Sequence, residues 1–364
     1  MKKYVIAIVI LMLALMLTGC GGAAGSQAPA ADPEPVEEVA EPAEEPADEP
    51  EPEEPEPEVQ VAAEEVIEID IGILQIIDHP ALDAARNGFI NGLAEEGWIE
   101  GVNVFYHPFN AQGDMSNANS MAQHIVDIGV DMILGIATPT SQALANATDT
   151  IPIVITAVTD PLVAGLVECF ERPNTNVTGT SDLTPVAQQF YLITRLLPDA
   201  QVIGIMYNAG EVNSAIQANM ARDAARSLGL EYVPGVAPST ADVAQVIESI
   251  IDRVDVIYIP TCNTMAAAYT TIVMIAEERG IPVIVGEEGG IPQGALATEG
   301  INYYNLGRQT AVMAGQILRG EAIPQEMPIQ WQAETTLIIN TAAADRLGIT
   351  IPDELLAAAN LVEY

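Results

Sequence analysis

The stretch Ile153-Val154-Ile155-Thr156-Ala157-Val158-Thr159-Asp160-Pro161 decides the predicted fold. It begins as an apolar run rich in β-branched residues, which is typical of a strand buried on both faces. It ends in Thr159-Asp160-Pro161, which predicts a helix start with Asp160 as the N-cap and Pro161 at the first helical position. Ligands of open α/β sheets bind at the carboxyl ends of strands, so the stretch also marks a candidate site.

The same alternation of strand and helix patterns continues along the chain. One series of strand–helix units begins at Ile69, and a second begins near Pro185. Two such series predict an α/β protein with two doubly wound parallel-sheet lobes and a ligand cleft between them. The last elements are too few for a third domain, so we assign them back to the lobes. The predicted N-terminal lobe comprises 66–183 and 287–325, and the predicted C-terminal lobe comprises 184–286 and 326–364.

The N-terminus has the pattern of a secretory signal. Met1-Lys2-Lys3 is followed by an apolar run that ends at Leu17-Thr18-Gly19-Cys20. This run is shorter than the ~20 residues that a membrane span needs, which argues against the alternative of a single membrane anchor. Leu17-Thr18-Gly19-Cys20 resembles a bacterial lipobox, which implies a lipoprotein signal peptide over 1–20 and a lipid on Cys20. Residues 21–65 are rich in Pro and Glu and predict a disordered linker.

The net charge limits which partners we expect, and the cysteine content limits which disulfide bonds are available. The formal net charge is −39, which argues against nucleic acid as a partner because phosphate binding needs a basic face. Cys169 and Cys262 remain beside Cys20. Their spacing gives no disulfide framework, so two buried free thiols are favoured over the alternative of a disulfide bond between them.

Polar residues at the strand ends are the candidate ligand-binding groups. Helix N-termini there suit a carboxylate, and an acid such as Asp160 suits an ammonium group. For any single junction, a role as an ordinary helix cap is the competing interpretation. We expect Thr138, Ser141, Asn208 and Ser214 to bind a carboxylate. The full candidate set is His79, Asp83, Thr138, Ser141, Thr159, Asp160, Asn208, Asn213, Ser214, Asn263, Thr264, Glu287 and Tyr303.

Signals of catalysis and of a cofactor are missing from the sequence. It contains no Gly-x-Ser-x-Gly elbow, no P-loop and no Gly-x-Gly-x-x-Gly after a strand. The spacing of His79, His107 and His124 does not match a metal site. We therefore predict a protein that is not an enzyme and that carries no cofactor and no metal.

Several local motifs together resemble a known family. The chain is similar to the substrate-binding lipoproteins of bacterial ABC importers, in the tryptophan/tyrosine-type (TrpX-like) branch. The resemblance extends from about Ile69 to the C-terminus. The motifs are His79-Pro80-Ala81-Leu82-Asp83, Asn110-Ala111-Gln112-Gly113-Asp114, Thr156-Ala157-Val158-Thr159-Asp160-Pro161, Arg172-Pro173 with Asn176-Val177-Thr178-Gly179, Tyr207-Asn208 with Asn213-Ser214, Asn263-Thr264, and Leu296-Ala297-Thr298 through Leu306-Gly307-Arg308-Gln309.

This resemblance implies a type I periplasmic-binding-protein fold and a transport function. A small zwitterionic ligand, an amino acid or similar and in this branch an aromatic one, is held between the lobes and delivered to an ABC permease with a cytoplasmic ATPase. The protein is then lipid-anchored at the extracytoplasmic face of the cell membrane. One position departs from the family pattern, because Cys262 stands where Asp usually precedes the Asn-Thr pair. The alternative function is a ligand-sensing receptor of the same fold without transport.

Overall fold

The structure is a computed structural model that describes residues 68–364. The predicted signal peptide, Cys20 and the predicted linker over 21–65 lie outside the described residues. Across 68–364, no helix combines the length and the hydropathy that crossing a membrane requires.

Thirteen strands and eleven α-helices alternate along the described chain. The strands are β1 (Ile69–Gln75), β2 (Val104–Asn110), β3 (Met132–Ile136), β4 (Ile153–Val158), β5 (Val177–Ser181), β6 (Val202–Tyr207), β7 (Glu231–Val236), β8 (Val256–Ile259), β9 (Val283–Val285), β10 (Ala297–Gly300), β11 (Gln330–Trp331), β12 (Thr336–Asn340) and β13 (Asn360–Val362). The helices are α1 (Pro80–Glu95), α2 (Met115–Ile128), α3 (Thr138–Ala147), α4 (Val186–Leu196), α5 (Val212–Ser227), α6 (Val243–Ile250), α7 (Asn263–Ala266), α8 (Tyr269–Glu278), α9 (Tyr303–Leu318), α10 (Thr341–Leu347) and α11 (Asp353–Ala358).

The first lobe is built on a parallel sheet of six strands in the order β11-β5-β4-β3-β1-β2. Helices α1 and α9 pack together, as do α2 and α3. Every residue of β3, β4 and β5 is buried, as expected for strands covered on both faces. The strand that we predicted from Ile153 to Val158 is confirmed with the same bounds.

The second lobe has seven strands in the order β13-β12-β10-β9-β8-β6-β7. Helices α4 and α5 pack together, and so do α6 and α8. The sheet is not purely parallel, because β12 runs antiparallel to β10. The physical reason is the path of the chain: it enters β12 directly from the cleft, without a crossover helix, and so runs away from the edge at which the parallel strands end.

The chain passes between the lobes three times, at 182–185, 301–302 and 332–335. These crossovers correct two predicted boundaries. Strand β10 pairs with β9 and β12 in the second sheet, although 287–325 was assigned to the first lobe, and only α9 returns there. Strand β11 pairs with β5 in the first sheet, although 326–364 was assigned to the second lobe. Both strands are too short for their own sequence to specify a partner.

Glycines let α9 dock against α1. A Cβ atom on Gly307 would lie 1.9 Å from the Ala85 carbonyl oxygen, and one on Gly88 would lie 2.0 Å from the Tyr304 carbonyl oxygen. Only hydrogen fits between backbones at these distances. The two helices therefore approach closely, and this contact holds the returning α9 on the first lobe.

Replacing Gly307 with Ala should lower the free energy of unfolding by about 2 kcal/mol or more, because the added methyl overpacks a rigid backbone contact. Gly315 of the same helix is the matched control, since a Cβ there meets the ends of the Arg319 and Glu96 side chains, which can move. Gly315→Ala should be neutral or should stabilise by up to about 1 kcal/mol. Urea denaturation of both variants measures this, and equal losses would contradict the close-approach account.

Candidate functional site

The carboxyl ends of the two sheets face each other across a cleft that holds two neighbouring cavities. The inner cavity has a volume of about 10 Å³ and is closed to roughly the size of one water molecule. The outer cavity has a volume of about 420 Å³, within the range of small-molecule sites. Asn263 lines both of them.

The inner cavity takes its walls from both lobes and from the crossovers. Its position at the strand ends is the one expected for a ligand site in an α/β fold. The lining residues are His79, Leu82, Ala157, Asp182, Asn213, Thr261, Cys262, Asn263, Ala266, Glu287 and Tyr303.

Asp182 is a buried carboxylate at the start of the first crossover. Its Oδ1 atom accepts a 2.9 Å hydrogen bond from the Thr159 hydroxyl, and its Oδ2 atom accepts a 2.7 Å bond from the Tyr303 hydroxyl. Burial raises the pKa of Asp182 despite these two bonds, because desolvation disfavours the charged form. A positive charge placed in the cavity would relieve this desolvation.

Glu287 places a second acid on the opposite wall. One of its oxygens accepts from the backbone N–H of Gly289. The other, Oε1, is buried and makes no hydrogen bond of normal geometry among residues 68–364, although the hydroxyl of Tyr269 lies close enough to lower the pKa of Glu287 somewhat. Burial raises the pKa of Glu287 from 4.5 to about 7. A buried carboxylate oxygen without a well-aligned donor is a direct indication of a cationic or hydrogen-bonding ligand.

Two further buried polar atoms point to the same conclusion. His79 Nδ1 and Asn213 Oδ1 have no hydrogen-bond partner in the described part of the chain. His79 Nε2 lies 3.4 Å from Asn263 Oδ1 in the other lobe, and burial lowers the pKa of His79 to about 4. Such atoms are rare in folded proteins unless something binds them.

The outer cavity is ringed by helix starts. Helix α3 begins there without a side-chain cap, and its first residue, Thr138, has a buried hydroxyl with no partner within 68–364. Uncapped N–H groups and a free hydroxyl suit an anion. The apolar lining comes from Ile76, Ile77, Met115, Pro139, Val236 and Pro238.

Glu211 fixes the loop between the two cavities. Its carboxylate accepts the backbone N–H groups of Asn263 and Thr264, each at 2.9 Å, and also their side chains. Because these donors satisfy both oxygens, Glu211 holds the wall of the site in place and offers little to a ligand.

Most of the predicted residues are brought together. Seven line the cavities: His79, Asn208, Asn213, Asn263, Thr264, Glu287 and Tyr303. Thr159 lies at the inner end of the cleft, 3.4 Å from Thr261 of the other lobe. Asp83, Thr138, Ser141, Asp160 and Ser214 line neither cavity.

Three of these residues bond to neighbouring protein groups instead of lining a cavity. Asp83 lies beside Arg86 and accepts from Gln75. Ser141 donates to the Ala137 carbonyl oxygen, and Ser214 accepts from the Asn208 N–H.

Asp160 caps a turn in the structure, and the helix that the sequence predicts from Pro161 does not form, because residues 161–165 are a turn. Its Oδ1 atom accepts from the backbone N–H groups of Leu162 and Val163, at 3.1 and 2.9 Å. The expectation that it binds an ammonium group is therefore not supported, and the competing interpretation as a cap describes its contacts. Asp182 and Glu287 are the acids that lie on the inner cavity.

Sequence reasoning missed Asp182, Glu211, Gln217 and Thr261. Asp182 directly follows β5, so the rule used for the other strand ends would have found it. Gln217 lies inside α5, where nothing local distinguishes it from a surface glutamine. Cys169 and Cys262 are free thiols in the structure, as predicted, but the prediction that both are buried is wrong for Cys169, which is partly exposed.

Comparison with known proteins identifies the family. The family model described as "ABC transporter substrate binding protein" matches residues 70–363. The chain belongs to this family. It is 40% identical over 271 residues to a tyrosine-binding protein of Clostridioides difficile, a match that covers 74% of this chain and 78% of the relative.

Two solved structures are similar to this chain over most of its length. A Streptococcus pneumoniae ABC domain in complex with L-Trp is 36% identical and has a TM-score of 0.78, over 81% of this chain and 99% of that one. A ligand-free, open substrate-binding protein with adhesive properties from Clostridium difficile is 40% identical, with the same coverage, but has a TM-score of 0.62. The fold of this chain is that of type I periplasmic binding proteins.

The raised pKa of Glu287 predicts a pH-dependent stability of the ligand-free protein. Between pH 4.5 and about 7 the folded state binds a proton that the unfolded state has lost, so this contribution is full below pH 4.5 and is lost as the pH rises through 7. Relative to Glu287→Gln, which does not titrate, the wild type should lose about 3 kcal/mol across this window. Urea denaturation of both proteins from pH 4.5 to 8 tests this, and a constant difference would contradict it.

Proposed function

We propose that this substrate-binding protein captures an aromatic amino acid as a zwitterion between its lobes and delivers it to the permease of an ABC importer. The observation that carries the proposal is the inner cavity, which is lined by two buried acids and by two further residues, His79 and Asn213, that each have a buried polar atom without a partner within 68–364. Burying such groups is tolerable when a ligand pairs them.

The two ends of a zwitterion match the two kinds of polar group. The ammonium group binds Asp182 and Glu287, whose desolvation a positive charge offsets. The carboxylate binds the uncapped start of α3, where Pro139 lines the outer cavity. The acids lie on the inner cavity and the start of α3 lies on the outer cavity. The ligand is therefore oriented with its ammonium group inward and its carboxylate outward.

Three considerations support an aromatic side chain. The relatives named above include a tyrosine-binding protein and a domain in complex with L-Trp. The outer cavity offers apolar contacts from both lobes, including Met115 and Val236. Its volume of about 420 Å³ leaves room for a ring.

Closure around the ligand is the signal for delivery. Ligand bridging both lobes shifts the population toward the closed form, which the permease then recognises. A lipid on Cys20 keeps the protein at the extracytoplasmic face of the membrane, and the stretch over 21–65 acts as its spacer.

Binding of L-tyrosine and L-tryptophan by the purified protein tests the site. We expect Glu287→Gln to weaken binding at least tenfold in isothermal titration calorimetry, because the ammonium group loses a charged partner. N-acetyl-L-tyrosine, which has no ammonium group, should not bind the wild type.

Asp160→Ala is the matched control for these titrations. It removes an acid from the same rim, where it caps a turn and touches neither cavity, so its affinity should equal that of the wild type. Loss of binding in Asp160→Ala with retention in Glu287→Gln would refute the assignment of the ammonium site.

Replacing Cys20 with Ser should release the protein from the membrane fraction into the soluble fraction of the cells that produce it. The cause is loss of the thiol that would carry the lipid. Immunoblotting of the two fractions measures this, with Cys169→Ser as the control that should stay with the membrane. Equal membrane association of both variants would exclude Cys20 as the anchor.

A further inference from the structure

A chain of side-chain hydrogen bonds crosses the cleft behind the inner cavity. Its centre is Gln217 of α5, which is fully buried. Its Nε2 atom donates to the hydroxyl of Thr261 in its own lobe and, at 3.4 Å, to the hydroxyl of Thr159 in the other lobe. Its Oε1 atom accepts from the Thr184 hydroxyl in the first crossover at 3.2 Å.

The direction of these bonds is fixed by Asp182. The Thr159 hydroxyl donates its one proton to the Asp182 carboxylate, so its oxygen must accept from Gln217 and from Thr261. The chain therefore runs from the second lobe, through Thr159, to a carboxylate that lines the ligand cavity. A network with a single consistent direction is stronger than its separate bonds.

We propose that Gln217 and Thr159 form a latch that holds the lobes closed and positions Asp182 for the ligand. Their mutual bond joins different lobes, and we infer that it breaks when the lobes separate. When the lobes open, water replaces this bond. A variant that lacks the bond should therefore populate the closed form less. The ligand-binding part of the proposal rests on the function proposed above, whereas closure of the ligand-free protein does not.

A second buried glutamine provides a control that distinguishes the latch from the general effect of losing a buried glutamine. Gln189 of α4 is also fully buried, and its amide bonds the carbonyl oxygens of Gly286 and Glu299 and the hydroxyl of Tyr258. All of these partners belong to the second lobe. Gln189→Leu therefore removes a comparable set of bonds without touching the cleft.

The thiol of Cys262 reports how often the lobes open. It is buried and lines the inner cavity, so opening of the cleft uncovers that side of it, while its Sγ atom also lies against Asn208 and Glu211 of its own lobe. Because wild type and variants share these contacts within the lobe, a difference in the rate of reaction with iodoacetamide reports a difference in opening. Mass spectrometry of the peptide that contains Cys262 gives its labelling rate in the ligand-free protein. We expect Gln217→Leu to label about tenfold faster than wild type, and Gln189→Leu to label at the wild-type rate.

Gln217 lies in the same lobe as Cys262, so Gln217→Leu could change labelling through a local effect. Thr159→Val is the control for this effect, because Thr159 belongs to the other lobe. It should accelerate labelling to a similar extent, and the effect of the double variant with Gln217→Leu should be clearly less than the product of the two single effects, since the Gln217–Thr159 bond is lost in each single variant. Thr180→Val, which alters a buried hydroxyl within the first lobe, should match the wild type. Wild-type labelling rates in Thr159→Val, or multiplicative effects in the double variant, would overturn the latch.

Calorimetry with L-tyrosine then tests the coupling to the ligand. Both latch variants should bind about tenfold more weakly than wild type and Gln189→Leu. If wild type itself does not bind, the proposed ligand is wrong while the labelling result still decides the latch. If the wild type binds L-tyrosine and both latch variants bind it with the wild-type affinity, positioning of Asp182 by the latch is refuted.

Discussion

Parallel pairing is the constraint on which the structure depends. Strands joined by crossover helices all end at the same edge of their sheet, and each edge collects loops, helix starts and polar side chains. Two such sheets, joined by three short crossovers, place those edges against each other. The cleft is therefore a consequence of the topology, and residues from distant parts of the chain meet there.

The inner cavity is electrostatically unfavourable when it is empty. Asp182 and Glu287 are held out of water, and burial raises the pKa of both carboxyl groups. His79 is held neutral by the same desolvation. A binding protein gains from this arrangement, because a cationic group that enters the cavity restores interactions that the fold has removed. Stability and affinity are thus opposed at the same residues.

Closure must be balanced for a transport protein to work. Contacts across the cleft that are too strong would hold it shut without a ligand, and contacts that are too weak would make binding costly. Two of the bonds between the lobes are long, at 3.4 Å for Thr159 with Thr261 and for His79 with Asn263. They fit a protein in which the ligand supplies the decisive contacts.

The sequence by itself determined the two α/β series, the strand from Ile153 to Val158 and the strand ends where ligand groups gather, because hydrophobic periodicity and capping are local properties. Only the tertiary structure decided that β10 belongs to the second sheet and β11 to the first, that Asp160 caps a turn while Asp182 lines the cavity, and that Gln217 reaches across the cleft. Pairing partners and burial depend on residues that are far apart in the chain, and no local pattern carries that information.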